Sequence, residues 1–276
     1  MDELENDHRQ ERYGDNHQKD SVNERSSIGQ VQQEVVRGFM PWHHISKRAL
    51  FLIIAYLVIF VLFLVLACMA YVYPVWSIDV AITREFQEER LPWLKWFMVA
   101  ISFLGSQFAV FTGLILLTAV VFWLLRLRLE AIFILGLSVV SAVLNQLIKS
   151  IVSRPRPTSS LVEIFQSAYG QSFPSAHVMS YVAYWGLLFS FGFILLRRDR
   201  WWHYLFLIVP ALFVLLVGPS RIYLGNHWAS DVLGGYMFGG LLLGIALWLY
   251  LYLKGKGVLA PKDRRTFPDL DPAAQA

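Results

Sequence analysis

Charge is what this sequence has least of for its size. Only 16% of its 276 residues are Asp, Glu, Lys or Arg, while 56% are hydrophobic; an ordinary soluble domain carries about 25% charged residues. The balance excludes a soluble globular domain and leaves a chain that meets lipid over much of its surface. The formal net charge of +4 is modest. Its basic residues flank apolar runs instead of forming one basic face, so they read as topology signals, and nucleic acid is not an expected partner. Cysteine is nearly absent. Cys68 stands alone inside an apolar run, which rules out an intrachain disulfide and argues against a thiolate metal site. It reads as a small core or lipid-facing residue. No Asn-x-Ser/Thr sequon occurs, which argues against a glycosylated surface protein of a eukaryote.

What the chain has instead is long apolar runs, near 49–73, 107–125, 130–149, 177–196, 203–219 and 232–253. Each approaches the ~20 residues that carry a helix across ~30 Å of hydrocarbon. The expected fold class is all-α: a polytopic membrane protein built as a six-transmembrane-helix bundle with a disordered N-terminal tail. Residues 1 to about 36 are rich in Asp, Glu, Arg, Gln, Asn and Ser and bury too little apolar surface to offset ordering entropy. The first run starts too late and is too long for a cleaved signal, so it is expected to stay as an anchor. Between the first two runs, the prolines and tryptophans of residues 91 to 96 suit a helix at the membrane interface, where it could cover the mouth of a site. Residues 203 to 219 lie between an aromatic cluster and Gly218-Pro219, which mark the two interfaces, and His203 reads as an interfacial ring. Gly235, Gly239, Gly240 and Gly244 recur on the last run and are expected to permit close helix packing.

Basic residues of the short connections set the orientation. Lys47 and Arg48 precede the first run, Arg126 and Arg128 follow the second, Arg197, Arg198 and Arg200 follow the fourth, and Lys254 and Lys256 follow the sixth. Six crossings put all four places on one side, which the positive-inside bias makes cytoplasmic. The expected organisation is a cytoplasmic tail over 1–48, a membrane domain over 49–253 and a cytoplasmic tail over 254–276, in a bacterial plasma membrane.

The opposite side then receives three polar clusters: Lys149 to Arg156-Pro157, Pro174-Ser175-Ala176-His177, and Ser220-Arg221 with His227 and Asp231. Ionisable residues at the ends of membrane segments mark function by default, although lysine and arginine there also snorkel. Two guanidinium forks and an ammonium suit the oxygens of a phosphate, and the helix start near Pro174 is an anion site. Ser175 either caps that helix or donates its hydroxyl to a phosphate oxygen. With a helix starting near Asn226, His227 and Asp231 share a face. The carboxylate then orients one ring nitrogen and leaves the other as a nucleophile, unless the pair serves only the helix start. His177 is placed to protonate a leaving oxygen. The two histidines and the aspartate could also form a metal triad, but three cations beside them disfavour a divalent ion. No cofactor and no metal are expected.

These residues resemble the three-part signature of the type 2 phosphatidic acid phosphatase superfamily, Lys-x6-Arg-Pro, Pro-Ser-Gly-His and Ser-Arg-x5-His-x3-Asp, in order and spacing over residues 149 to 231. The resemblance implies a membrane lipid phosphatase that hydrolyses a phosphomonoester or diphosphate without metal, through a phosphohistidine. It assigns attack to His227, its orientation to Asp231, and proton transfer to His177. Phosphate binding falls to Lys149, Arg156, Ser175, Arg221 and the backbone N–H of Ala176, where Ala176 replaces the family's glycine. The second pair, Arg154-Pro155, has the wrong spacing, and Arg154 is expected at the rim. The substrates implied are undecaprenyl diphosphate, phosphatidylglycerol phosphate or phosphatidic acid, at an extracytoplasmic site. Two alternatives remain: a lipid phosphotransferase using the same phosphohistidine, and an anionic lipid transporter or flippase. Transport sites sit at broken helices near the midplane, whereas these residues sit at helix ends. Oligomeric state is not encoded in any of these patterns.

Overall fold

The computed structural model describes residues 47–196 and 201–259. The polar tail before residue 47, the loop holding Arg197, Arg198 and Arg200, and residues 260–276 lie outside the described residues. The chain divides into two units, Met1–Ala55 and Tyr56–Ala276. The first is described only through the opening turns of helix α1, and the second carries the architecture below.

Among the described residues there are eight helices and no strand: α1 Lys47–Val72, α2 Ser77–Phe86, α3 Pro92–Ser106, α4 Phe108–Leu124, α5 Arg128–Val152, α6 Ala176–Leu195, α7 Trp201–Tyr223 and α8 Ala229–Gly255. By length and composition α1, α5, α6, α7 and α8 can each cross a membrane, and α3 with α4, bent by 68°, supplies a sixth crossing when the pair is counted as one broken span. The run expected at 107–125 forms the 17-residue helix α4, Phe108–Leu124. The interfacial turn expected at 91–96 extends into the 15-residue α3, and the break falls at Gln107, whose extended φ of −102° and ψ of 94° stop the helix.

Helix α6 is the axis of the second unit. It packs against α5, α7 and α8, and 67% of its span is buried, against 6% for the uniformly apolar α1. In lipid, apolar side chains gain little by choosing one another over acyl chains, so close backbone approach and hydrogen bonds decide the packing. Gly235 and Gly239 provide that approach: a Cβ added to them would lie 2.9 Å from Val178 Cβ and 3.1 Å from Val182 Cβ on α6. Gly244 lies against the Tyr56 ring of α1, whereas Gly240 faces open space. Three of the four expected glycines thus serve contacts. At the end of α8 farther along the chain, Tyr250 donates to Glu130 of α5 at 2.7 Å and Lys254 donates to the same carboxylate at 2.9 Å.

Helix α7 does not stop at Pro219. It continues to Tyr223 with Pro210 and Pro219 inside it, where each proline lacks an N–H for the helical ladder. Near Pro219 the ladder is repaired from α8. The Tyr236 hydroxyl accepts from Gly218 N–H at 3.1 Å and donates to Val214 O at 2.7 Å. Gly218 makes room, since a Cβ there would lie 2.6 Å from that oxygen. The repair keeps Ser220 and Arg221 on the last helical turn. His203, expected as an interfacial ring, is buried near the start of α7.

Candidate active site

The last turns of α5 and α7 and the first turns of α6 and α8 meet at one end of the bundle. Helix α5 stops where Ser153 adopts a left-handed φ of 49°, and Pro155 and Pro157 then forbid a helical continuation. The connection of residues 153–175 folds back over the helix ends, with Ser172 N–H donating to Arg154 O at 2.7 Å and Phe165 N–H to Leu224 O at 3.2 Å. Helix α7 is closed by Gly225, whose φ of +70° and contact with Glu163 O admit no side chain. Asn226 and His227 then donate backbone N–H groups to Arg221 O at 3.1 and 3.3 Å. This turn fixes His227 over the phosphate-binding candidates.

Lys149, Ser175, Arg221, His227 and Asp231 are all buried, while Arg156, Ala176 and His177 are half-buried. Lys149 Nζ donates to Gln171 O and to Ser172 O, the latter at 3.3 Å. Arg156 Nη1 donates to Asn226 O at 2.7 Å and lies 3.1 Å from His227 Nε2. Arg221 Nη1 donates to the Ser102 hydroxyl, and Gln166 Oε1 lies 3.4 Å away. Ser175 is the N-cap residue of α6, yet its side chain makes no capping bond. Its Oγ and Arg221 Nε are buried polar atoms with no hydrogen-bond partner. Buried donors left open in this way suit an anion with several oxygens, as do the free N–H groups of the first turn of α6. Ala176 is not among the positive-φ residues, so alanine in place of glycine costs no backbone strain there.

His227 and Asp231 do not share a helical face, because α8 begins only at Ala229. His227 stands in the turn before it, and the pair meets because Asp231 folds back over the helix start. Asp231 Oδ2 accepts from Trp228 N–H at 2.9 Å and from the Ser172 hydroxyl. His227 Nδ1 lies 3.5 Å from the same oxygen, a contact longer than a hydrogen bond. Burial first, then the charges of Arg156, Lys149 and Arg221, hold the His227 imidazole well below its ordinary pKa. A neutral ring with Nδ1 toward the carboxylate keeps the Nε2 lone pair for an electrophile. His177 opens α6 across the site, with its Nε2 3.2 Å from the Ser106 hydroxyl, which itself donates to Ser102 O at 2.9 Å.

Arg154 is not a rim residue. Its side chain is 0% exposed and forms ion pairs with Asp79 and Asp231, both at 2.7 Å. Sequence reading also missed Ser102 and Ser106 on α3, Gln166 and Asn226 around Arg221, and Asp79 on α2. Their signal was weak: small polar residues within apolar helices and one carboxylate in the wetter stretch. Among the described residues no group of three or more His, Cys, Asp or Glu could hold a metal ion. Beside Ser106 and His177, a cavity of about 520 Å³ runs between α4 and α5 past Phe108, Ile115, Leu135 and Val139. A larger open groove of about 760 Å³ lies between residues 84–90 and 159–165, and none of the residues named above as phosphate or proton handlers lines it.

Residues 128–254 match the PAP2 superfamily. Phosphatidylglycerophosphatase B of Bacillus subtilis is 30% identical over 187 residues, which cover 67% of this chain and 89% of that protein. The crystal structure of the transmembrane PAP2 type phosphatidylglycerolphosphate phosphatase from Bacillus subtilis superposes with a TM-score of 0.61 at 26% identity, over 72% of this chain and 96% of that one. Human dolichyldiphosphatase 1 is 33% identical over 125 residues, covering 42% of this chain and 50% of its own length. On sequence and fold together, the chain belongs to the PAP2 superfamily, as one of its membrane lipid phosphatases.

Proposed function

We propose that this protein hydrolyses a lipid phosphomonoester or diphosphate, undecaprenyl diphosphate or phosphatidylglycerol phosphate, at an extracytoplasmic site through a phosphohistidine and without a metal. The observation that carries the reading is His227: a buried imidazole whose Nε2 lies 3.1 Å from Arg156 in a ring of phosphate-binding candidates, with burial and those cations holding its pKa well below the ordinary value. On binding, Arg156 shifts from Nε2 to the phosphate oxygens, joining Lys149, Arg221, Ser175 and the Ala176 N–H. Nε2 attacks the terminal phosphorus in line, its bond to the leaving oxygen breaks (the ester oxygen of a monoester, the bridging oxygen of a diphosphate), and His177 gives that oxygen its proton. His177 then takes a proton from water, water oxygen attacks phosphorus, and the P–N bond breaks to release inorganic phosphate and restore His227. The fixed donors stabilise the charge of both transition states without reorganising. The apolar cavity beside His177 supports a lipid chain as the leaving group. The names of the bacterial and human relatives support a glycerol phosphate ester and a polyprenyl diphosphate as the substrates to try first.

The test is phosphate release from those two lipids and from phosphatidic acid by purified protein in detergent with EDTA, beside His227→Ala. Parent turnover should survive chelation with no acceptor lipid added, and the variant should lose about 1,000-fold or more in kcat. Turnover by His227→Ala at the parent rate, or a parent silenced by EDTA, would sink the mechanism. Phosphate release only with an acceptor lipid present would identify a phosphotransferase.

A further inference from the structure

We propose that Asp79 and Arg154 are positioning residues for the reaction, a buried ion pair that holds Asp231 behind His227 without neutralising it. Asp79 lies on α2, outside residues 128–254 that match the family, and Arg154 stands two residues before the phosphate-binding candidate Arg156. Every donor of the Arg154 guanidinium that points into the protein is engaged. Nη1 donates to Asp231 Oδ1 and to the Ser230 hydroxyl, both at 2.7 Å. Nη2 donates to Asp79 Oδ2 at 2.7 Å, and Nε donates to Pro74 O at 2.8 Å. The Trp76 ring covers one face at 5.0 Å. An arginine held on all these sides has no fork left for a phosphate, which separates its task from that of Arg156.

Asp79 is used as fully. Its Oδ1 accepts from Ser230 N–H at 2.9 Å, and its Oδ2 accepts from the Ser230 hydroxyl at 2.5 Å as well as from Arg154. The result is an alternating line of charge, Asp79 to Arg154 to Asp231, ending at His227. A lone guanidinium beside Asp231 would draw off the negative field that stabilises positive charge on the imidazole. Asp79 balances the guanidinium, so Arg154 keeps its geometric grip on Oδ1 while Oδ2, which accepts from the Ser172 hydroxyl and Trp228 N–H, faces His227 Nδ1 at 3.5 Å. Buried ion pairs of this sort contribute little net stability and are often outdone by apolar packing, so stability alone gives no reason for a triad here. The other ionisable groups facing His227 are Lys149 of α5, Arg156 of the connection, Arg221 of α7 and His177 of α6. None of them touches Asp79.

The inference rests on His227 as the nucleophile and deepens that reading. Its test is the acidic limb of the kcat/KM profile on phosphatidylglycerol phosphate in detergent micelles, for the parent, Asp79→Asn and Arg154→Gln, with His227→Ala as reference. The substrate's own ionisation is common to all, so differences between limbs belong to the protein. Removing the anion should make His227 harder to protonate and move the limb to lower pH; removing the cation should move it to higher pH. Each shift should be about half a pH unit or more for charges this deeply buried. Both variants should also lose kcat with little change in KM. Circular dichroism at each pH gives the folded fraction, and rates divided by it separate titration from unfolding, so a poorly folding variant still reports. Limbs that stay at the parent position, shift in the same direction, or cannot be measured because neither variant yields folded protein would overturn the inference and leave the pair a structural staple. Activity surviving in His227→Ala would instead remove the reading beneath it.

Discussion

His227 shows how one residue type acquires a task from its surroundings. Its ordinary pKa of 6.5 is pushed well down, by burial first and then by three cations, so the folded protein keeps it neutral where an unfolded chain protonates it. Below pH 6.5 the unfolded state therefore binds more protons than the folded one, and stability falls with pH until the depressed folded pKa is reached. The slope from this residue alone is about 1.4 kcal/mol per pH unit. The thermal midpoint in detergent should accordingly drop between pH 7 and pH 5 more steeply for the parent than for His227→Gln. Equal slopes would show that the ring does not carry that penalty. At this scale the sequence was informative about chemistry and poor about neighbours. Lys149, Arg156, Ser175, His177, Arg221, His227 and Asp231 were legible because their types are costly in lipid and their spacings are regular. Spacing separated Arg156 from Arg154 but misplaced Arg154 at the rim, because its partner Asp79 lies 75 residues earlier in the chain and no local spacing encodes that contact.

Among the elements, α3 departed furthest from expectation, and the reason is physical. The sequence marks an interfacial turn at 91–96 and a separate run from 107, whereas the helix begun at Pro92 continues to Ser106 and breaks at Gln107, beside a serine whose hydroxyl already serves the preceding turn. The break brings Gly105 against the ring of His177. A Cβ at Gly105 would lie 2.6 Å from His177 Cδ2 and 2.8 Å from Tyr181 Cε2. Gly105→Ala should therefore cost tenfold or more in kcat by turning His177 away, while overpacking of about 1–3 kcal/mol is partly offset by the better helix former. Gly113→Ala on α4 is the matched control, since nothing lies within 4 Å of its added methyl. It should stabilise by about 0.5–1 kcal/mol with turnover unchanged. If both variants behave alike in kcat and melting, close approach at Gly105 does not govern the histidine.

For the whole molecule, the parity of crossings gathers the three polar clusters at one end of the bundle, because consecutive antiparallel helices return their ends to the same two faces. What parity cannot say is which face is outside the cell, and the loop arginines carry that proposal. A cysteine placed at the exposed Ser159, in a Cys68→Ala background, should react with a membrane-impermeant maleimide on intact cells. Labelling only after lysis would invert the topology. The phenol of Tyr236, lodged in the α7 backbone at Gly218, has a consequence at this same scale. Arg221 stands three residues beyond that joint and Asp231 five residues before Tyr236, lever arms of about 4.5 and 7.5 Å at helical rise. A tilt at the end of α7 therefore carries the start of α8 with it, and the roles proposed for Arg221 on phosphate and for Asp231 behind His227 share a common pivot.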